Sequence, residues 1–235
     1  MIMQRHIKIF CRVVMLLTLT AGVSAQSAHK TDLQTVLHQM DANAAKFQSA
    51  RAEFVWEQYQ KVVDETDTQK GTVYYRRNGK DIEMIANVRE PAASDLLYKD
   101  GKVSMFNHKL NQVTQKETGK NRADVEGYLV LGFGGSGQDL LKSYDVTYQG
   151  EENIGEIHTG KLELIPKSAR VKAYFPSILL WIDLDRGISV QQKLMQGEGD
   201  YRLARYSGIR LNEKISSDIF QLKTDSKTEF VTPRG

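Results

Sequence analysis

One cysteine, Cys11, stands in this chain of 235 residues, together with only four prolines and five histidines. A lone thiol excludes an internal disulfide framework and a cysteine-built zinc site. The histidines are scattered, and no H-x-x-x-H pair would place two of them on one helical face as metal ligands. Long apolar runs are missing too. The best candidate, residues 13–21, falls well short of the roughly 18 that a membrane-spanning helix requires. Nor is there an excess of one charge. Lys and Arg number 32 against 29 Asp and Glu, so the clustered positive field demanded by a nucleic-acid backbone is absent.

What is present begins with a basic start (Arg5, Lys8, Arg12), an apolar stretch, and the small-residue exit Val23-Ser24-Ala25. That layout predicts a signal peptide over 1–25, cleaved after Ala25, and hence export. Cys11 lies inside the discarded segment and follows no small-residue cleavage site, so the mature chain is expected to diffuse freely without a lipid anchor of its own. Removing the three basic residues from the 32 leaves 29 against 29 acids, a net charge near zero. Residues 26–235 are enough to bury a core without covalent staples, and one domain is the simplest division.

Over 31–47 the apolar residues Leu33, Val36, Leu37, Met40, Ala44 and Phe47 recur at intervals of three and four, one face of an amphipathic helix with Thr31 as its N-cap. The period then changes to two. Ala52, Phe54 and Trp56 alternate with Glu53, Val55 and Glu57, which predicts a strand with one buried face. Further strands are expected at 72–77, 81–88, 96–99, 103–107, 112–116, 144–149, 159–165, 177–183, 189–196, 201–209 and 219–223. Asn78-Gly79 and Asp100-Gly101 are hairpin signals, with weaker ones at Arg186-Gly187 and 197–199. Such spacing, without long intervening helices, predicts a mainly β chain, an antiparallel barrel or sandwich. Two short helices, 122–131 and 138–143, interrupt the rhythm around a glycine-rich loop and suit a lid, with Gly132, Gly134 and Gly137 as its hinge. The polar tail 224–235 is expected to be loose or to extend a sheet edge.

Several patterns invite a chemical reading. Residues 132–137 spell G-x-G-x-x-G, but a dinucleotide site needs a βαβ unit, and the helix that follows has room for only about two turns. Ser136 approaches the G-x-S-x-G nucleophile pattern, yet the fifth position is Gln138 and no strand-to-helix elbow is evident. His29, His38, His108 and His158 form no pairing with an acid at triad spacing. The expectation is therefore no enzyme, no metal and no cofactor. Trp56, Tyr74, Tyr75, Tyr98, Trp181 and Tyr201 offer a stacking surface or are ordinary sheet residues. The abundant feature is large apolar side chains on one strand face: Phe54 and Trp56, Ile82 and Met84, Val103 and Met105, Leu162 and Leu164, and Ile178, Leu180 and Ile182. Leu33, Leu37 and Met40 of the first helix can close over them. Alternation alone leaves open whether that interior is filled or hollow.

In order and spacing, these elements resemble the LolA-like lipoprotein-sorting family. The matching segments are the aromatic strand at Phe54, Val73-Tyr74-Tyr75-Arg76-Arg77, Ser94-Asp95-Leu96-Leu97-Tyr98-Lys99-Asp100-Gly101-Lys102, Asn111-Gln112-Val113, Leu162-Glu163-Leu164-Ile165-Pro166-Lys167, Leu180-Trp181-Ile182-Asp183 and Phe220-Gln221-Leu222. The resemblance implies an unclosed antiparallel β-barrel of about 11 strands whose open end is covered by helices, with a hydrophobic cavity for acyl chains. It implies a monomeric periplasmic carrier whose partners are acylated lipoproteins, an inner-membrane lipoprotein-releasing transporter and, where one exists, an outer-membrane acceptor. By position Arg77, with Arg76 as rival, corresponds to the arginine that latches the family's lid, although this chain has Asn78 where the family carries proline. Two other roles fit the same resemblance: a lipid-binding sensor of the RseB type, and a carrier of another lipid. A hydrolase of envelope lipids using Ser136 is the reading from a different class.

Overall fold

The computed structural model describes residues 31–79, 81–129, 131 and 133–232. The expected signal segment 1–25, Gly132 and the last three residues lie outside them. No helix among the described residues is long and apolar enough to cross a membrane.

The first helix, α1, runs Leu33–Ala44. Its cap is Asp32 rather than Thr31, because the Asp32 carboxylate accepts the Thr35 amide at 2.8 Å. Val36, Leu37 and Met40 form its buried stripe. The helix stops before Phe47, which instead packs beneath the glycine-rich loop.

Twelve strands follow in one sheet: β1 Ser49–Gln60, β2 Glu65–Asn78, β3 Asp81–Glu90, β4 Ser94–Lys99, β5 Lys102–Asn107, β6 Gln112–Glu117, β7 Tyr144–Ile154, β8 Ile157–Pro166, β9 Ile178–Asp183, β10 Ile188–Met195, β11 Tyr201–Leu211 and β12 Glu229–Val231. Their spatial order is β12-β6-β5-β4-β3-β2-β1-β11-β10-β9-β8-β7. Every pairing is antiparallel except β12 on β6. The end strands β12 and β7 do not meet, so the barrel is unclosed. The turn at Asp100-Gly101 has φ of +53° and +71°, which is why those two residue types join β4 to β5.

Two strand expectations are corrected. The strand expected at 72–77 starts seven residues earlier, because β2 pairs with β1 from Glu65 to Arg76. The strand expected at 219–223 is instead a single 3₁₀ turn, Ser217–Phe220, whose Phe220 is completely buried against Ile85 and Leu97 on the outer face of the sheet. The tail beyond it supplies β12, an edge extension. A further short helix, α4 (Ala169–Tyr174), starts at its cap Ser168 and has no counterpart among the sequence expectations.

The lid helices are α2 (Arg122–Leu129) and α3 (Gly137–Ser143). With α1 they cover the inner face, where the core divides into two clusters. One joins α1, α3 and β7 to β10 through Leu37, Met40, Leu140, Leu162, Leu164, Ile178, Leu180 and Ile182. The other joins β1 to β4, β11 and α2 through Phe54, Val73, Tyr75, Met84, Tyr98, Leu129 and Tyr206. Helix α1 rests directly on glycine: a side chain on Gly187 would meet the Gln39 carbonyl at 2.1 Å, and one on Gly160 would meet Val36 at 2.8 Å.

Candidate functional site

Beside the second cluster the inner face opens into a cavity of about 590 Å³. Trp56, Tyr75, Met84, Leu96, Met105, Ala204 and Tyr206 line it from the sheet, and Tyr128 and Leu129 line it from α2. Gln58, Asp67, Gln69, Gln192 and Arg202 give its β10–β11–β1–β2 end a polar character. Strand register makes this arrangement. Leu96 stands opposite Met105, Tyr75 opposite Met84, and Trp56 between Ala204 and Gln69. Trp56 is held flat by Phe54, with ring centroids 4.0 Å apart. Burial pushes the Tyr75 and Tyr206 phenols above their ordinary range, helped by Tyr206 beside Tyr75 and by Tyr128 near Tyr206, so both stay protonated.

The expected cavity residues separate in the structure. Trp56, Met84 and Met105 line the hollow, and Phe54 lies beneath Trp56. Ile82 packs at the border of the same cluster. Leu37, Met40, Leu162, Leu164, Ile178, Leu180 and Ile182 do not line the cavity: they fill a solid core with exposures of 0 to 3%, and Leu33 packs on its margin. The reason is that α1 and α3 press large side chains onto equally large ones, leaving no room between. Among the lining residues that the sequence reading missed are Tyr75, Leu96, Tyr128, Leu129, Gln192 and Tyr206.

Helix α2 is tied down mainly by polar contacts. Tyr98 Oη donates to Glu126 at 2.7 Å, Arg122 Nε donates to the same oxygen at 2.8 Å, and Arg122 pairs with Asp81 at 2.5 Å. An ion pair between Arg170 and Asp124 ties it to α4. Burial, then the Glu126 carboxylate, push the Tyr98 phenol up to about 12. The loop after α2 is plugged by Phe133, which is 1% exposed and sits 5.2 Å from both Tyr75 and Tyr206.

Of the three glycines read as a hinge, Gly134 and Gly137 are sites of close approach. An added side chain at Gly134 would fall 2.4 Å from the Phe47 ring, and one at Gly137 would fall 2.7 Å from Leu37. Arg77 Nη2 donates to the Gly134 carbonyl at 3.5 Å. Arg76 points to the outer face, where it pairs with the buried Glu83 at 2.6 Å and lies over Phe220. Ser136 is the N-cap of α3: its Oγ accepts the Asp139 amide at 3.0 Å and its hydroxyl donates to the Asp139 carboxylate at 2.7 Å. Helix α3 leads into an antiparallel strand, so the glycine pattern has no βαβ setting. Among the described residues no cluster of three or more His, Cys, Asp and Glu could hold a metal ion.

No family model matches the sequence, and no curated protein matches it. Solved structures do share the architecture. An uncharacterized conserved protein from Thermus thermophilus is similar at a TM-score of 0.55 with 10% identity, over 85% of this chain and 98% of that one. A chain of the Pseudomonas aeruginosa MucA/MucB complex is similar at 0.51 with 14% identity, over 80% of this chain and 60% of that one, so this protein spans three-fifths of its length. A LolA superfamily protein from Nitrosomonas europaea gives a TM-score of 0.41 at 14% identity, over 82% of this chain and 98% of that one. The likenesses above a TM-score of 0.5 carry the fold alone, here an unclosed sheet with helices laid across its inner face.

Proposed function

We propose that this protein is exported to the periplasm and there holds the acyl chains of lipoproteins in the cavity, carrying them from the inner membrane toward the outer one. The observation that supports this reading best is the hollow of about 590 Å³ floored by Trp56, Met84, Leu96 and Met105 and roofed by α2. Each CH₂ withdrawn from water is worth about 0.8 kcal/mol, so a long acyl chain cannot cross an aqueous space unsheltered. A cavity of about 150 Å³ accepts benzene, so this one has room for roughly two dozen carbons. One chain with its linkage fits the closed form, and a triacylated terminus needs α2 to move aside. Helix α2 is the element suited to that motion, because partly exposed ion pairs like those that hold it contribute only about 0–1 kcal/mol each. An inner-membrane transporter would load the carrier and an outer-membrane acceptor would empty it.

The test is to purify the protein from its native periplasm, identify co-eluting acylated species by mass spectrometry, and titrate it with a fluorescent diacylglyceryl peptide. Saturable binding is expected, with Met105→Glu weakening it at least about tenfold, or 1.4 kcal/mol. Absence of both co-eluting lipid and saturable binding would remove the proposal.

A lipid sensor is the second reading, favoured by the likeness to the chain from the MucA/MucB complex. Transfer of bound lipid to acceptor vesicles marks a carrier. Ligand-dependent capture of a membrane-anchored protein, without transfer, marks a sensor.

A further inference from the structure

Across the inner face one register row reads Leu162, Leu180, Gln192, Ala204, Trp56 and Gln69. Leu162 and Leu180 are completely buried, and Gln192 beside them is 5% exposed. Its Nε2 has no hydrogen-bond partner among the described residues. A native protein rarely leaves a buried amide in that state, because the group gives up its hydration and receives nothing in return. The neighbours across the strands explain why nothing answers it: the side chains of Leu180 and Ala204 carry no acceptor. Gln192 borders the cavity, at the seam between its hollow and the filled core.

The cavity is polar at one end and apolar at the other. From β10, which carries Gln192, to β5, which carries Met105, the sheet takes six inter-strand steps, or roughly 29 Å along its curve at about 4.8 Å per step. At the β10–β11 end Arg202 donates to Gln58 at 2.6 Å and forms no ion pair with any described residue. At the other end lie Met84, Leu96 and Met105. An amphiphile therefore enters with its tail toward β5 and its linkage toward β10.

We propose that Gln192, by turning its buried amide into the hollow it borders, donates to the carbonyl oxygen joining an acyl chain to its carrier group, so that the cavity selects acyl esters and amides over ether-linked or purely hydrocarbon chains. This rests on the acyl-binding reading of the cavity and adds a specificity-determining residue to it. Two sources share that chemistry, the diacylglyceryl group of a lipoprotein and the ester of a membrane phospholipid.

The experiment measures binding of a diacylglyceryl-cysteine peptide and of a phosphatidylglycerol, each beside its ether-linked analogue, to the wild-type protein and to Gln192→Leu and Gln192→Met. The wild type is expected to bind the ester form about tenfold more tightly than the ether form of whichever source it accepts. Both variants should melt no lower than wild type and bring the ratio to about one. A wild-type ratio near one, or a ratio that survives in both variants, overturns the role of Gln192 and leaves the acyl site standing. Failure of every probe to bind overturns the acyl site itself.

Discussion

The two halves of the inner face are built on one sheet with one alternation, yet one is solid and the other hollow. In the solid half, β8 and β9 present Leu162, Leu164, Ile178, Leu180 and Ile182, all completely buried, to Val36, Leu37, Met40 and Leu140 of α1 and α3. Each such side chain contributes roughly 1.5–3 kcal/mol by leaving water. In the hollow half the sheet centre is small: Ala50, Ala52, Val73 and Ala86, with Gly71 opposite Phe54. Above it lies α2, a helix with only Leu129 fully buried and with charged anchors. Space is left beside these small residues, between Trp56, Tyr75, Met84, Leu96 and Met105 of the sheet and a cover fastened by polar contacts. The capacity to open therefore resides in the half that α2 covers.

The sharpest way to break this contrast is to place one carboxylate in each half. Leu180→Glu sets an unpaired charge where exposure is 0%, and is expected to cost about 4 kcal/mol or more, enough to abolish the thermal transition. Met105→Glu, at a residue 50% exposed on the cavity rim, is expected to stay within about 0.5 kcal/mol of wild type while losing ligand. Comparable melting losses in the two variants would show that the halves are not energetically distinct.

The seam between the halves comes next. Gly134 has φ +79°, and any side chain there strikes the Phe47 ring. Gly134→Ala is expected to cost about 1–3 kcal/mol, and to raise protease cleavage near Phe133 before the sheet unfolds. Unchanged cleavage would mean that the loop is not seated on Phe47 in solution.

Much of this was legible in the sequence, and the gaps have physical causes. Alternation placed most strands because a half-buried strand must segregate its faces, and Asp100-Gly101 fixed a turn because few residues accept two positive φ angles. The first part of β2, from Glu65 to Lys70, is exposed throughout, so pairing with β1 holds it and no apolar pattern announces it. Ile219 and Phe220 resemble a strand because a plug for the outer face is also apolar. Alternation tells which face Leu164 or Leu180 occupies and not what lies opposite, so it does not separate a cavity wall from the packed core that both residues join. The hollow depends on Trp56, Tyr75, Met84, Leu96 and Met105 coming side by side from five strands, a coincidence of register invisible along one chain. Gln192 carries no signal at all, since glutamine in a strand ordinarily faces water.

A smaller effect separates the covers by pH. Folding raises Tyr98 from its ordinary 10 to about 12, so its contribution is complete below pH 10, declines between 10 and 12, and is lost above. Because Tyr98 donates to Glu126 of α2, amide protection in α2, taken relative to the intrinsic base-catalysed rate, should fall over that window. Tyr144, on the solid side, is also held near 12, so the informative control is Tyr98→Phe, which should remove the pH dependence in α2 alone. If α2 in Tyr98→Phe still loosens over the same window, Tyr98 is not the anchor.

The smallest effect belongs to Arg77. Its bond to the Gly134 carbonyl is 3.5 Å long and partly exposed, so Arg77→Met is expected to cost less than about 1 kcal/mol. Arg76, facing away on Glu83, has no route to the loop. Calorimetry should barely register the change, whereas exchange of the 133–136 amides and the rate of ligand release should both rise severalfold. If neither rises, Arg77 is an ordinary surface residue and Phe133 alone holds the loop. A weak bond is what a latch requires, since about 1 kcal/mol already changes a closed-to-open ratio about fivefold. A contact as firm as those around Leu180 would keep cargo out along with water.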